Sequence, residues 1–133
     1  MFVKQISVFL ENKPGKLAEI ISLLAGKKID IQALLIAEAP DYGIMRAIVD
    51  RTDEAAQLLR DETIPFHITE VLALSVADEP GSLEKLLRVL ADGGISVKYS
   101  YAFYSRESGK ANIVLRVDDN DAAVELLKRA GIE

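Results

Sequence analysis

The sequence predicts an α+β fold: two tandem ferredoxin-like β-α-β-β-α-β units with antiparallel sheets, the second truncated at its last strand. Three observations predict it. Short runs of alternating apolar residues, which read as strands, are separated by apolar stripes at i, i+3, i+4 and i+7, which read as helices. The stretch Asn12-Lys13-Pro14-Gly15-Lys16-Leu17 is written a second time as Asp78-Glu79-Pro80-Gly81-Ser82-Leu83. Around these two turns the chain matches itself at a nearly constant offset, the mark of a duplication.

Residues 3–10 alternate, with Ile6, Val8 and Leu10 on one face and Gln5, Ser7 and Phe9 on the other, and form the first strand. Pro14 suits the first position of a helix, where its missing N–H costs nothing. Leu17, Ile20, Ile21 and Leu24 then make an amphipathic stripe that ends near Gly26. Ile29 to Ala37 reads as a second strand in which Ile29, Ile31, Ala33 and Leu35 alternate, while Leu34 and Ile36 make the other face apolar as well. Pro40-Asp41-Tyr42-Gly43 is a hairpin turn, and Ile44 to Val49 returns from it. Thr52 or Asp53 can cap a second helix carrying Ala55, Ala56, Leu58 and Leu59; Pro65 ends it, and Phe66-His67-Ile68 starts a short strand.

The order then restarts. An offset of 66 carries Pro14, Gly15, Leu17, Leu24, Ala25 and Ile29 onto Pro80, Gly81, Leu83, Leu90, Ala91 and Ile95, and Gly43 onto Gly109. Beyond the hairpin the offset becomes 68, matching Val49, Asp50, Asp53 and Leu58-Leu59 with Val117, Asp118, Asp121 and Leu126-Leu127. Two extra residues in the second hairpin account for the change, since loop tips tolerate insertion. The units are placed at 1–70 and 71–133. Phe66–Thr69 runs without a turn residue into Val71–Val76, so one continuous strand is expected to bridge them. The second unit stops where the first continues through Pro65, which leaves an edge that needs protection.

Composition narrows the function. Half of the 133 residues are hydrophobic and none is Cys, so a core can form without disulfides, thiol catalysis is absent, and a reducing cytoplasm fits. A net charge of -5 with no basic run argues against nucleic acid. No window approaches the roughly 18 apolar residues of a membrane span. No phosphate loop, HExxH or spaced metal-ligand cluster is present, and no cofactor is expected.

The β-α-β-β-α-β order, the twin (Asn/Asp)-x-Pro-Gly-x-Leu turns and the helix stripes behind them resemble an ACT domain pair over essentially the whole chain. Such domains are regulatory modules that bind amino acids where two of them meet. The resemblance therefore implies a stand-alone, non-catalytic amino-acid sensor. An alternative is a ligand-free assembly or regulatory subunit that docks onto a metabolic enzyme.

The candidate site residues follow. Each turn leads into a helix N-terminus, whose free N–H groups and partial positive charge suit a carboxylate, and glycine permits close approach. The ligand carboxylate is placed at Gly15, Lys16 and Leu17, behind Pro14, or at Gly81, Ser82 and Leu83. Its ammonium is placed at the Asn12 or Asp78 side chain, or at strand carbonyls around Ile31 and Gln32. Asp78 with Glu79 makes the second turn favour the ammonium end, and Asn12 with Lys13 makes the first favour the carboxylate. A purely structural reading competes, in which Asn12 and Asp78 stabilise their turns through Asx-type bonds.

Tyr99, Tyr101 and Phe103 share a strand face and are either pocket walls or core beneath helices. His67 lacks triad or metal partners, and Asp50, Asp53, Asp118 and Asp121 beside helix starts are explained by capping. Arg46 inside an apolar strand reads as a solvated edge residue or as half of an interface ion pair. Phe9, Leu34 and Ile36 are assigned to the sheet face away from the helices, where a second copy, in a homodimer, is the simplest cover.

Overall fold

The computed structural model describes residues 1–104 and 109–132. Its elements in chain order are β1 (Phe2–Glu11), α1 (Lys16–Gly26), β2 (Ile31–Glu38), β3 (Tyr42–Val49), α2 (Thr52–Asp61), β4 (Phe66–Ala77), α3 (Ser82–Asp92), β5 (Val97–Ala102), β6 (Lys110–Val117) and α4 (Asn120–Arg129). The α+β class and the repeated β-α-β-β-α-β order are thus as the sequence predicts, and β4 is the continuous bridging strand. Contacts divide the chain into one unit of Lys4–Glu70 and another of Met1–Val3 with the chain from Val71 onward.

In the first unit the strand order is β2-β3-β1-β4, and β2 with β3 and β3 with β1 pair antiparallel. The Phe9 N–H donates to the Pro65 carbonyl at 3.1 Å, joining β1 to the chain entering β4. In the second unit the order is β1-β4-β6-β5, again with antiparallel pairs. The place of its missing last strand is taken by residues from the other end of the chain. The Ala73 N–H donates to the Met1 carbonyl at 2.7 Å, and Met1 packs against the second core. Three residues expected in the first unit therefore shield the edge of the second.

Each unit has its own core. In the first, Ile6, Val8 and Leu10 of β1 and Met45, Ala47 and Val49 of β3 meet Ile20 and Leu24 of α1 and Ala55, Leu58 and Leu59 of α2. In the second, Leu72 and Leu74, with Ile113, Leu115 and Val117, meet Leu86 and Leu90 of α3 and Ala123 and Leu127 of α4. These are the alternating strand residues and i, i+4 helix positions that the pattern marks, and their removal from water drives the fold.

Several local expectations change. Pro14 lies in the turn, and α1 starts at Lys16, because Gly15 at the N-cap is left-handed, with φ 87°. Neither Thr52 nor Asp53 caps α2. The N-cap is Arg51, whose guanidinium donates to the Lys27 and Lys28 carbonyls at 2.7 and 2.5 Å and to Glu54 at 2.6 Å. Asp50 and Asp118 tie loops rather than helices: they accept from the Asp30 and Ser96 N–H groups at 2.9 and 3.2 Å.

A bulge resets β2. Ile31 faces Val49 but Ala33 faces Ile48, so Gln32 falls out of the ladder and every later residue changes face. Leu34 and Ile36 therefore lie opposite Ala47 and Met45, on the core side, and not beside Phe9. The second unit repeats the bulge between Val97 and Tyr99, which places Tyr99 and Tyr101 opposite Arg116 and Val114, away from the helices. The two rings stack with centroids 6.4 Å apart. Arg46 sits in β3 between Ser7 and Leu35, inside the sheet and not at an edge. On this helix-free side Gln5 and Ser7 are 0% and 4% exposed and hydrogen-bonded to each other at 3.3 Å. The apolar residues of this face are therefore not Leu34 and Ile36: the register sets Leu35 and Ile44 on it with Phe9, each half-buried, around the buried Gln5 and Ser7.

Candidate functional site

The twin turns are built alike, bond for bond. In the first, Lys13 N–H donates to Glu11 O at 2.8 Å, Lys16 N–H to Lys13 O at 3.3 Å and Glu19 N–H to Gly15 O at 2.9 Å. In the second, Glu79 donates to Ala77 at 3.0 Å, Ser82 to Glu79 at 3.3 Å and Lys85 to Gly81 at 3.0 Å. Gly15 and Gly81 hold φ of 87° and 93°, which side-chain-bearing residues rarely adopt. A Cβ placed on either glycine meets nothing within 4 Å, so the space above both is open. No side chain caps α1 or α3. The first helical N–H of each, at Lys16 and Ser82, is thus held by the turn itself, and no side chain accepts from the helix starts.

The Asx reading does not describe these turns. Asn12 Nδ2 donates instead to Glu38 Oε1 at the end of β2, at 3.4 Å. No side-chain hydrogen bond joins Asp78 to its turn among the described residues. Gln32 stands at the β2 bulge, where strand pairing lapses, and the matching place in the second unit belongs to Lys98.

The expected charge contrast is softened. Lys13 pairs with Glu11 at 2.9 Å and Lys16 with Glu19 at 3.6 Å, so both cations of the first turn have internal partners. The hydrogen bond from Lys13, then its charge and that of Lys16, hold the Glu11 carboxyl below its ordinary range. A group depressed in the folded state favours folding above its unfolded pKa, and that contribution fades as pH falls through the folded pKa. Lys13→Ala should raise the Glu11 titration midpoint, which side-chain carboxyl NMR reads directly; an unmoved midpoint contradicts the pairing.

Two matched cavities lie behind the turns. The first, about 450 Å³, is lined by Phe9, Leu10, Glu11, Lys16, Glu19 and Ile64 among others. The second, about 720 Å³, includes Ser75, Val76, Gly81, Ser82, Lys85 and Ile132. Of the predicted site residues, Lys16, Gly81 and Ser82 line these cavities. Asn12, Pro14, Gly15, Leu17, Ile31, Gln32 and Asp78 do not, and Leu83 lines a separate surface groove. Lys85 and Ile132 were missed by the sequence reading, although the offsets already matched them with Glu19 and Ile64. His67 sets its ring edge against Phe9 at 5.3 Å.

The profile of the ACT domain pair family matches residues 1–132. The chain belongs to this family. The ACT pair is also similar to protein BT0572 from Bacteroides thetaiotaomicron, at 38% identity and a TM-score of 0.93, covering 100% of this chain and 91% of that one. Similarity extends to the ligand-free regulatory subunit of aspartate kinase from Thermus thermophilus, at 17% identity and a TM-score of 0.66, covering 96% of this chain and 91% of that one. The corresponding Thermus flavus subunit gives 15% and 0.61, covering 96% and 91%. These last two share the fold. No curated protein matches the sequence. Among the described residues, no helix is long and apolar enough to cross a membrane and no group of three or more potential metal ligands occurs.

Proposed function

We propose that this ACT pair is a non-catalytic, cytoplasmic regulatory protein that binds an amino acid at its glycine turns, at an interface between ACT units. The observation that carries the reading is the twin, uncapped, left-handed glycine turn with open space above it, on a chain that matches the family throughout. The carboxylate meets the main chain at Gly15, Lys16 and Leu17, while the ammonium meets Asn12 and the strand carbonyls flanking Gln32. The first turn is the better site. Lys98 places a cation where Gln32 places a neutral amide, and Asp78 with Glu79 crowds the second helix start with negative charge. Binding favours one arrangement of the protein, and a partner enzyme reads that preference.

A thermal-shift screen of the amino acids tests this. A ligand at about a hundred times its Kd adds roughly 2.7 kcal/mol to the native state, an upward shift of several degrees. Asn12→Ala and Gln32→Lys, both at half-buried or exposed positions, should weaken binding about tenfold, a loss of about 1.4 kcal/mol, with little change in the ligand-free melting temperature. Gly15→Val is a harsher probe, because its left-handed backbone makes it unstable as well as occluded. An unmoved melting temperature with every amino acid at millimolar concentration rejects the sensor and leaves the assembly module.

A further inference from the structure

We infer that Thr63 is held in a strained backbone conformation because it serves a side-chain pocket of the first unit, and that this pocket takes the cationic side chain of a basic amino acid. The inference rests on the ligand reading above and deepens it, by naming the class of amino acid. Helices α2 and α4 end in the same bend. The Thr63 and Ile64 N–H groups donate to Arg60 O and Leu59 O at 3.0 and 2.9 Å, and those of Gly131 and Ile132 to Lys128 O and Leu127 O at 3.0 and 2.9 Å. The residue after the helix is left-handed in both, with φ 58° at Thr63 and 75° at Gly131. Glycine takes this conformation freely, whereas a β-branched residue there is a strained outlier. The second unit thus makes the bend without threonine, and the first keeps threonine at a loss of stability. Such strain concentrates at positions held for function.

The position lies on a cavity. Thr63 lines the first cavity, of about 450 Å³, which Lys16 at the glycine turn lines as well. Gly131 holds the matching place in the second, of about 720 Å³, so the cavity with the threonine is the narrower. Its charges select a cation. Glu11 is paired with Lys13 and Glu19 with Lys16. Asp41 and Glu62, on the exposed rim with Thr63, have no ion pair or side-chain hydrogen bond among the described residues. Phe9 and Tyr42, with ring centroids 6.4 Å apart, add an aromatic wall on which an alkyl arm can lie and to which a cation is attracted. The Thr63 hydroxyl supplies an acceptor for an ammonium or guanidinium head. The repeat does not carry this preference over, because Lys85 stands where Glu19 stands and Ala130 where Glu62 stands.

Isothermal titration of the full chain with arginine, lysine, glutamine and glutamate tests the pocket. Arginine or lysine should bind about tenfold or more tightly than glutamine, and glutamate should bind least. Thr63→Gly should raise the ligand-free melting temperature by about 3 °C as strain is relieved, and weaken the basic amino acid about tenfold. A gain in stability coupled to a loss of binding is a response that a merely structural residue does not give. Lys28→Gly is the control: Lys28 has φ 56° at the end of α1, where Gly94 stands in the second unit, and it lies outside this cavity. That variant should be stabilised with binding unchanged. Glu62→Gln should weaken arginine and lysine about tenfold and leave glutamine unaffected. Equal binding of a basic amino acid by wild type and Thr63→Gly overturns the pocket and leaves the glycine turns standing. So does tighter binding of glutamine or glutamate, or no binding of arginine and lysine where another amino acid binds. No binding of any amino acid overturns the turn reading and the pocket together.

Discussion

Leu90→Ala is expected to lower stability by about 2–5 kcal/mol in urea denaturation, and Leu24→Ala by a similar amount. The two residues are matched by the repeat, are 0% and 3% exposed, and anchor α3 and α1 to the two cores. Each truncation removes buried methyl groups and leaves a cavity that rigid strands close poorly. Both variants should lower the midpoint of a single transition, because β1 and β4 each contribute residues to both units. Two separate transitions, one moved by each variant, would show that the units unfold on their own.

Ala73→Pro should be at least as damaging, at about 3 kcal/mol or more. Its N–H is the donor to the Met1 carbonyl, and β4 lies between β1 and β6, where proline is poorly tolerated. Ala73→Val keeps the donor at a half-buried position and should cost far less. Hydrogen exchange gives a second readout: the Ala73 amide should be protected like its neighbours in the ladder. Fast exchange there would mean that Met1–Val3 do not hold the edge in solution.

Much of this molecule was legible in its residues. The twin turns, the offsets and the helix stripes give the element order and the core positions, because side-chain period and turn chemistry are local properties. The β2 bulge was not legible. Ile31, Ala33, Leu34, Leu35 and Ile36 are all apolar, so a strict two-residue alternation passes through Gln32 without contradiction, and only the partner strand reveals the skipped place. Arg51 as the start of α2 was hidden by Thr52, the better capping residue on local grounds; a tertiary reach to the Lys27 and Lys28 carbonyls outweighs that preference. The exposure of Leu83 and Leu87 was equally invisible, since their pattern copies that of Leu17 and Ile21. For the candidate site, sequence located both glycines, and the open space above them needed coordinates.

The loan of Met1–Val3 to the later unit bears on how the chain is made and cut. Synthesis releases those residues well before the rest of their unit, since their place is created only after Val71 and its successors have left the ribosome. Until then this segment has a long wait and a distant destination, a high-contact-order closure that slows folding. Severing the gene at the repeat boundary would deprive the downstream fragment of its borrowed border, so an excised half should be soluble only when that short segment is grafted back.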